Sequence, residues 1–303
     1  MGEVTGIAWT HHTFNAWEGC AKVSAGCKNC YAETRNERFH GGAHWGVDAP
    51  RLMRSESYWR EPLKWAKAAR AAGERRRVFC SSLADVFEDR PDLEAPRARL
   101  FSLIEATPEL DWLLLTKRPE NMHWLVPVGW RARWPSHVWA GTTAENMEML
   151  RARAEWLRIV PARVKFLSCE PLLEKLELDP PFCDLCGSFV DAVYEDGTPF
   201  CLEHERECSF SAVLDACSDE EQYGINWVIV GGESGRNARP CAVEWIESIV
   251  RQCAEAGVPC FVKQLGAMSV SEHRPAPSAG LRSKAGADPS EWPEDLRVQE
   301  FPR

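Results

Sequence analysis

The feature that most constrains the fold is a series of short apolar runs that alternate with helical patterns. Six runs rich in β-branched and aromatic residues end in polar residues or glycine: 78–82, 112–116, 138–142, 164–168, 227–231 and 260–263. Residues 7–9 are an earlier candidate. Runs that are apolar throughout suit strands buried on both faces, which is typical of a parallel sheet.

Helical spacing fills the intervals between these runs. Residues 95–106, 144–158 and 243–256 place apolar side chains on one face. Thr142 with Glu145 resembles a capping box before the second of these helices, and Gly257 and Pro259 are stop signals after the third. The βα repeat predicts a full or partial (β/α) TIM-like barrel, with an open doubly wound sheet as the alternative.

Residues 177–222 interrupt the alternation of strands and helices, which suggests an inserted module. We predict a barrel core over residues 1–176 and 223–267, an insert at 177–222 and an irregular C-terminal extension at 268–303. The length of 303 residues agrees with a barrel of about 250 residues plus an insertion.

Charge and cysteine content indicate the class of protein. Residues 177–221 contain 13 acidic residues and one basic residue, whereas residues 51–77 contain nine Arg or Lys and three Glu. No run approaches the roughly 18 apolar residues of a membrane span, and the N-terminus has no signal-peptide pattern. We therefore expect a soluble cytoplasmic protein without a membrane partner, in which 13 cysteines indicate metal binding or burial rather than disulfides.

Polar residues follow most of the predicted strands, where parallel αβ proteins place their active sites. We expect Lys117, Arg118, Glu170, Glu233 and Lys263 to line one cavity and to serve in catalysis. The other polar residues at these ends are Ser81, Ser82, Asp85, Thr116, Thr142 and Thr143.

The strongest local motif is a loop with three cysteines. Cys20, Cys27 and Cys30 have the spacing C-x6-C-x2-C in a glycine-containing segment after the first candidate strand. Three thiolates suit a [4Fe–4S] cluster with one iron left open. Zinc held with a fourth ligand such as His40 is a competing interpretation, and ordinary buried cysteines are a third.

At this motif the chain resembles the phage and prophage three-cysteine-motif proteins, a family similar to radical S-adenosylmethionine (SAM) enzymes and distantly to spore photoproduct lyase. Residues 166–172, 228–235, 262–264 and 288–296 resemble further blocks of that family. The resemblance covers most of the chain outside 177–222. The usual radical SAM loop is C-x3-C-x2-C, so this loop is three residues longer.

The resemblance implies cofactors and roles for the polar residues. Tyr31 would lie beside the adenine of SAM. Ser81, Ser82, Asp85, Thr116, Thr142 and Thr143 would bind its amino acid and ribose parts. Gly231-Gly232-Glu233 resembles in letters the Gly-Gly-Glu motif of radical SAM enzymes, although it lies on a late strand.

A second cysteine cluster lies in the insert. Cys183, Cys186, Cys201 and His204 have the spacing C-x2-C-x14-C-x2-H, which suits a structural zinc in a zinc-ribbon-like module. Cys208 competes with His204 as the fourth ligand. Asp196-Gly197 between two apolar pairs predicts a hairpin turn.

Together these features predict a radical SAM-type enzyme that generates a 5′-deoxyadenosyl radical with a [4Fe–4S] cluster and SAM, and that binds Zn²⁺. The resemblance implies a nucleobase or nucleotide in nucleic acid as substrate, and a flavodoxin- or ferredoxin-type electron donor. The alternative is an iron–sulfur or zinc protein that binds nucleic acid without radical chemistry. A zinc hydrolase is a third hypothesis, and the sequence lacks the His-rich ligand set expected for it.

Overall fold

The computed structural model describes residues 5–178, 224–271 and 282–302, together with five short strands between residues 182 and 211. The chain divides into two compact units. The first comprises residues 1–143 and 160–164, and the second comprises residues 144–159 and 165–303.

The first unit is built on four parallel strands. Strand order in the sheet is β1-β4-β5-β6, which follows the chain. The strands of this unit are β1 (His12–Thr13), β2 (Trp17–Glu18), β3 (Leu52–Met53), β4 (Arg76–Cys80), β5 (Leu110–Thr116) and β6 (Val138–Thr143). Its helices are α1 (Tyr31–His40), α2 (Glu56–Trp59), α3 (Glu61–Ala72), α4 (Glu94–Glu105) and α5 (Met122–Leu125). β2 and β3 form a separate antiparallel pair.

Apolar side chains on both faces explain why β4 and β5 are central strands. Trp112, Leu113 and Leu114 of β5 are fully buried, as is Val78 of β4. The strands pair in parallel from Arg76 opposite Leu110 onward. Helix α3 ends at Gly73, whose φ of 66° is the left-handed conformation that suits glycine at a helix C-terminus.

The second unit is built on three parallel strands, ordered β7-β13-β15. Its elements are α6 (Met147–Arg158), β7 (Lys165–Cys169), β8 (Phe182–Cys183), β9 (Ala192–Val193), β10 (Pro199–Cys201), β11 (Arg206–Glu207), β12 (Phe210–Ser211), β13 (Trp227–Gly231), β14 (Cys241–Ala242), α7 (Val243–Glu255), β15 (Cys260–Gln264) and β16 (Ser269–Val270). All five residues of β13 are buried, as expected for the middle strand.

The part of the chain after residue 282 packs against β15. The amide of Val262 donates to the carbonyl oxygen of Val298, and Phe261 forms an antiparallel bridge with Gln299. Trp292 and Leu296 are buried. This segment therefore covers the outer edge of the last strand.

The coarse fold prediction is confirmed. The described residues form a mixed α/β structure with seven parallel strands, consistent with part of a TIM-like (β/α) barrel. Within each unit the strand order follows the chain without the reversal of a doubly wound sheet. The domain boundaries drawn from the sequence remain a prediction.

Two local predictions are wrong. Residues 7–9 form a turn, in which the amide of Thr10 donates to the carbonyl oxygen of Ile7, and the first strand lies at His12–Thr13. Helix α6 starts after Asn146, whose side chain accepts from the amide of Met149 at 2.8 Å, so no Thr142–Glu145 capping box forms. Among the described residues, no helix is long and apolar enough to cross a bilayer.

Candidate functional site

The three-cysteine loop joins β2 to α1 and begins against the end of β4. The amide of Gly19 donates to the carbonyl oxygen of Leu83 at 3.0 Å, and Gly19 also bridges Ala84. The φ of Gly19 is 120°, and a Cβ there would lie 2.3 Å from the carbonyl oxygen of His44. Only glycine fits where the backbone approaches His44 so closely. The next residue, Cys20, therefore lies near the carboxyl end of β4.

The three thiols of the loop are free and partly exposed. Sγ of Cys20 lies 3.8 Å from Nη1 of Arg118, and Sγ of Cys27 lies 4.0 Å from Oγ of Ser24. Cys30 is the N-cap of α1, and its side chain makes no capping hydrogen bond.

Burial and neighbouring charges act in opposite directions on these thiols. The pKa of Cys20 is raised to about 12, mainly by burial and also by the charge of Asp85, while Arg118 opposes the shift. Burial also raises the pKa of Cys30, while the N–H groups at the start of α1 and the Lys117 ammonium oppose it. These cations and N–H donors are the groups that would stabilise thiolates once a metal replaces their protons.

The donor set of this loop fits an iron–sulfur cluster by its chemistry, because three unpaired thiols are the ligands that such clusters use. Within the described part of the chain, no three His, Cys, Asp or Glu side chains form a group that could hold a metal ion.

Asp85 connects the polar ends of β4 and β5. Its Oδ1 accepts from the hydroxyl of Thr116 at 2.6 Å, and its Oδ2 accepts from Nη1 of Arg118 at 2.8 Å and from the amide of Lys117 at 3.2 Å. The Asp85 side chain is buried. The structure thus brings together four of the residues predicted at these strand ends.

Ser81, Ser82 and Tyr31 lie on the same side of the first unit as this network. The hydroxyl of Tyr31 donates to the carbonyl oxygen of Ser82, and Nδ2 of Asn15 donates to Oγ of Ser82 at 3.1 Å. Ser81 is buried beside Cys80, whereas the Tyr31 side chain is 56% exposed. The Tyr31 ring therefore remains accessible to a ligand.

Thr142 and Thr143 end β6 and are buried. The hydroxyl of Thr142 donates to the carbonyl oxygen of Thr116 at 2.9 Å. Thr142 consequently ties the ends of β5 and β6 together, and its proposed contact with SAM remains a prediction.

In the second unit, Glu170 and Lys263 form an ion pair. Nζ of Lys263 lies 2.9 Å from Oε1 of Glu170. The other carboxylate oxygen, Oε2, accepts a long hydrogen bond of 3.4 Å from the hydroxyl of Ser168. A Cβ at Gly231 would lie 3.1 Å from Oε1 of Glu170, so glycine leaves room for this pair at the end of β13.

Glu233 has a different partner, Arg239. The backbone amide and the guanidinium of Arg239 both donate to its carboxylate, with distances of 2.7–3.0 Å. The preceding glycine is required by packing, because a Cβ at Gly232 would lie 2.3 Å from the carbonyl oxygen of Leu265.

The prediction that all five candidate catalytic residues line one cavity remains a prediction. Lys117 and Arg118 belong to the first unit, and Glu170, Glu233 and Lys263 belong to the second.

Sequence reasoning missed a second ion pair in the network of the first unit. Arg51 donates from Nε and Nη2 to the carboxylate of Glu88 at 2.9 and 2.7 Å, and Nη2 of Arg118 lies 3.7 Å from the same carboxylate. The acidic residues after β4 were a visible signal for Glu88. Arg51 lies far away in the sequence and carries no comparable signal.

The predicted zinc site falls largely outside the described residues. Cys186, His204 and Cys208 lie there, and for Cys183 and Cys201 only the strands that contain them are described. β9 and β10 pair in antiparallel fashion, as the predicted hairpin requires, while its turn at 194–198 is also outside the described part.

The basic stretch 51–77 is largely neutralised by acidic partners. Ion pairs are formed by Arg51, Arg54, Lys64, Arg70, Arg75 and Arg76. Ion-paired side chains are poorer phosphate ligands, so this stretch offers fewer free cations than its composition indicates.

Comparison with known proteins identifies the family of the chain and a distant structural likeness. Residues 4–293 match the family described as "Protein of unknown function (DUF5131)". No curated protein matches the chain. A spore photoproduct lyase mutant with bound AdoMet and dinucleoside spore photoproduct is similar at a TM-score of 0.39 and 12% identity, over 55% of this chain and 47% of that one. This chain thus spans about half the length of that protein.

Proposed function

The chain belongs to the DUF5131 family, whose function is unknown, and we propose that it is an iron–sulfur enzyme of the radical SAM type. The observation that carries the proposal is the position of the three-cysteine loop. It starts at the carboxyl end of β4, and the guanidinium of Arg118, from the end of β5, contacts Sγ of Cys20. Parallel αβ proteins use this edge for chemistry.

Cys20, Cys27 and Cys30 would hold the cluster. When bound by three thiolates, a [4Fe–4S] cluster supplies an open iron for the amino and carboxylate groups of SAM and the electron that cleaves SAM to a 5′-deoxyadenosyl radical. The protein's own contribution is to present three thiolates from one short loop and to surround them with donors and cations.

The polar residues of the first unit would bind SAM. The half-buried Ser82 and the buried Ser81 would provide hydroxyl groups. The buried carboxylate of Asp85 is paired with Arg118, so it would help to bind SAM by holding these strand ends in place. The exposed ring of Tyr31 would stack on the adenine. Thr116 and Thr142 would then act mainly by holding these strand ends in place, and Thr143 would contact SAM.

We propose a nucleobase or nucleotide as the substrate, on the basis of the family resemblance in the sequence. Lys117, Glu170, Glu233 and Lys263 would provide the polar groups that orient it. The Glu170–Lys263 pair offers both an acceptor and a donor, and the Lys263 side chain is 30% exposed. A flavodoxin- or ferredoxin-type protein would supply the electron.

Iron content tests the first step of this proposal. Anaerobically reconstituted protein should bind about four irons per chain and absorb broadly near 400 nm (roughly the region of thiolate-ligated clusters). A Cys27→Ala variant should lose both signals because it removes one ligand.

A Cys241→Ala variant is the matched control, since Cys241 is a free, buried cysteine of the second unit. It should retain the iron of the wild-type protein. Zinc in place of iron, or equal iron in both variants, would refute the proposed cluster site.

A further inference from the structure

The guanidinium of Arg118 joins the three-cysteine loop to the end of β4. Its Nη1 lies 3.8 Å from Sγ of Cys20 and donates to Oδ2 of Asp85 at 2.8 Å. Its Nη2 donates to the carbonyl oxygen of Ala21 at 2.9 Å. Arg118 is only 9% exposed, so these contacts are made away from bulk water.

The buried cations and carboxylates around Cys20 balance one another. Glu88 is held by two hydrogen bonds from Arg51, and Asp85 faces Arg118. Two buried carboxylates are therefore matched by two guanidinium groups. A thiolate at Cys20 would add a negative charge that this arrangement does not otherwise offset, and Nη1 of Arg118 contacts that sulfur.

The position of the guanidinium is fixed from its own strand. The amide of Arg118 donates to Oγ1 of Thr116 at 2.9 Å, and the same hydroxyl donates to Asp85. Because Asp85 also accepts from Arg118, the two strand ends and the guanidinium form one closed set of hydrogen bonds. A flexible cation would not hold this geometry, whereas the planar fork of arginine does.

We propose that Arg118 is a positioning residue for Cys20: it fixes the start of the three-cysteine loop and raises the reduction potential of the cluster that Cys20 ligates. The first effect concerns the protein without metal. The second rests on the proposed function. A charged hydrogen-bond donor stabilises negative charge on a ligand sulfur, and the reduced cluster carries one more negative charge than the oxidised cluster.

Hydrogen exchange of the metal-free protein tests the first effect. Arg118→Gln removes the charge and the fork, and Arg118→Lys keeps the charge without the fork. We expect amide exchange over residues 20–28 to accelerate about tenfold in Arg118→Gln, as the loss of hydrogen bonds from a charged donor predicts, and less in Arg118→Lys. If Arg118→Gln fails to fold, Arg118→Lys alone decides.

Arg153→Gln is the matched control because Arg153 is also a buried arginine, with Nη1 2.7 Å from Oε2 of Glu145. It lies in the second unit and should leave exchange over residues 20–28 unchanged. Unchanged exchange in both Arg118 variants would overturn the positioning role.

Redox titration of the reconstituted protein tests the second effect. At a fixed solution potential near the wild-type midpoint, the ratio of reduced to oxidised cluster should fall about tenfold in Arg118→Gln. It should fall less in Arg118→Lys and stay constant in Arg153→Gln. Equal ratios in all four proteins would refute potential tuning while leaving the cluster itself established. A wild-type protein without iron would refute the proposed function and this second effect together, while exchange would still decide the first.

Discussion

Oδ1 of Asp85 accepts a 2.6 Å hydrogen bond from the hydroxyl of Thr116, which joins the carboxyl ends of two neighbouring parallel strands. The other oxygen of Asp85 faces the guanidinium of Arg118. A single buried carboxylate thus organises the strand ends and the side chain that contacts the three-cysteine loop.

Replacing Asp85 with Asn should destabilise the protein by about 2–3 kcal/mol. The substitution keeps the size of the side chain but leaves Arg118 as a buried cation with weaker compensation. Urea unfolding measured by circular dichroism would give the difference. Asp89→Asn is the control because Asp89 is exposed, and it should change stability by less than about 0.5 kcal/mol. Equal effects of the two substitutions would contradict the assigned role of Asp85.

Gly232→Ala should cost about 3 kcal/mol or more. A Cβ at this position would lie 2.3 Å from the carbonyl oxygen of Leu265 and 2.9 Å from Cα of Gly266, so the backbone must shift. Gly129→Ala introduces the same methyl group where no heavy atom lies within 4 Å, and it should be nearly neutral. Thermal unfolding of the two variants compares them directly, and a stable Gly232→Ala protein would show that these backbones do not approach as described.

Acid should weaken the fold through His137. Burial lowers the pKa of this imidazole, whose Nε2 contacts the carbonyl oxygen of Ile104 at 3.0 Å. Below the unfolded value of about 6.5 the unfolded chain binds a proton that the folded chain does not, so stability falls as the pH drops from there toward the folded pKa. The slope is at most about 1.4 kcal/mol per pH unit for one proton.

His137→Gln isolates this contribution, because the other histidines titrate equally in both proteins. The stability difference between wild type and variant, taken from urea midpoints, should shift in favour of the variant between pH 7.5 and pH 5.5. A difference that is constant with pH would mean that His137 is protonated equally in both states.

The insert should bind one structural zinc independently of the cluster. A segment of about 45 residues with few apolar side chains would gain its folding free energy from metal binding, which supplies on the order of 10 kcal/mol in small zinc modules. Deleting residues 180–221 with a short Gly-Ser linker should remove one zinc per chain and leave the iron unchanged, as measured by elemental analysis. Loss of iron with the zinc would show that the two sites are linked.

The strands could be predicted from sequence because their apolar runs are buried on both faces. Residues 227–231 match β13. The strand predicted at residues 7–9 is wrong because Trp9 is buried in a turn without strand pairing. A buried apolar side chain alone does not distinguish these two cases.

The site was only partly predictable. The position of polar residues after the strands predicted Asp85, Thr116 and Arg118 as site residues. Their mutual hydrogen bonds depend on β4 and β5 being neighbours, and strand order cannot be predicted from a single sequence pattern. The Gly-Gly pair before Glu233 was recognisable as a motif, but the reason for Gly232, its close approach to Leu265, appears only in three dimensions.

Formation of 5′-deoxyadenosine tests the central claim most directly. Anaerobically reconstituted protein with SAM and dithionite should release 5′-deoxyadenosine, detected by chromatography and mass spectrometry. Cys27→Ala should release none, and Cys241→Ala should match the wild type. The contradicting result is wild-type protein that carries a full cluster and accepts electrons from dithionite but forms no 5′-deoxyadenosine. That result would exclude the radical SAM assignment and favour an iron–sulfur protein without radical chemistry.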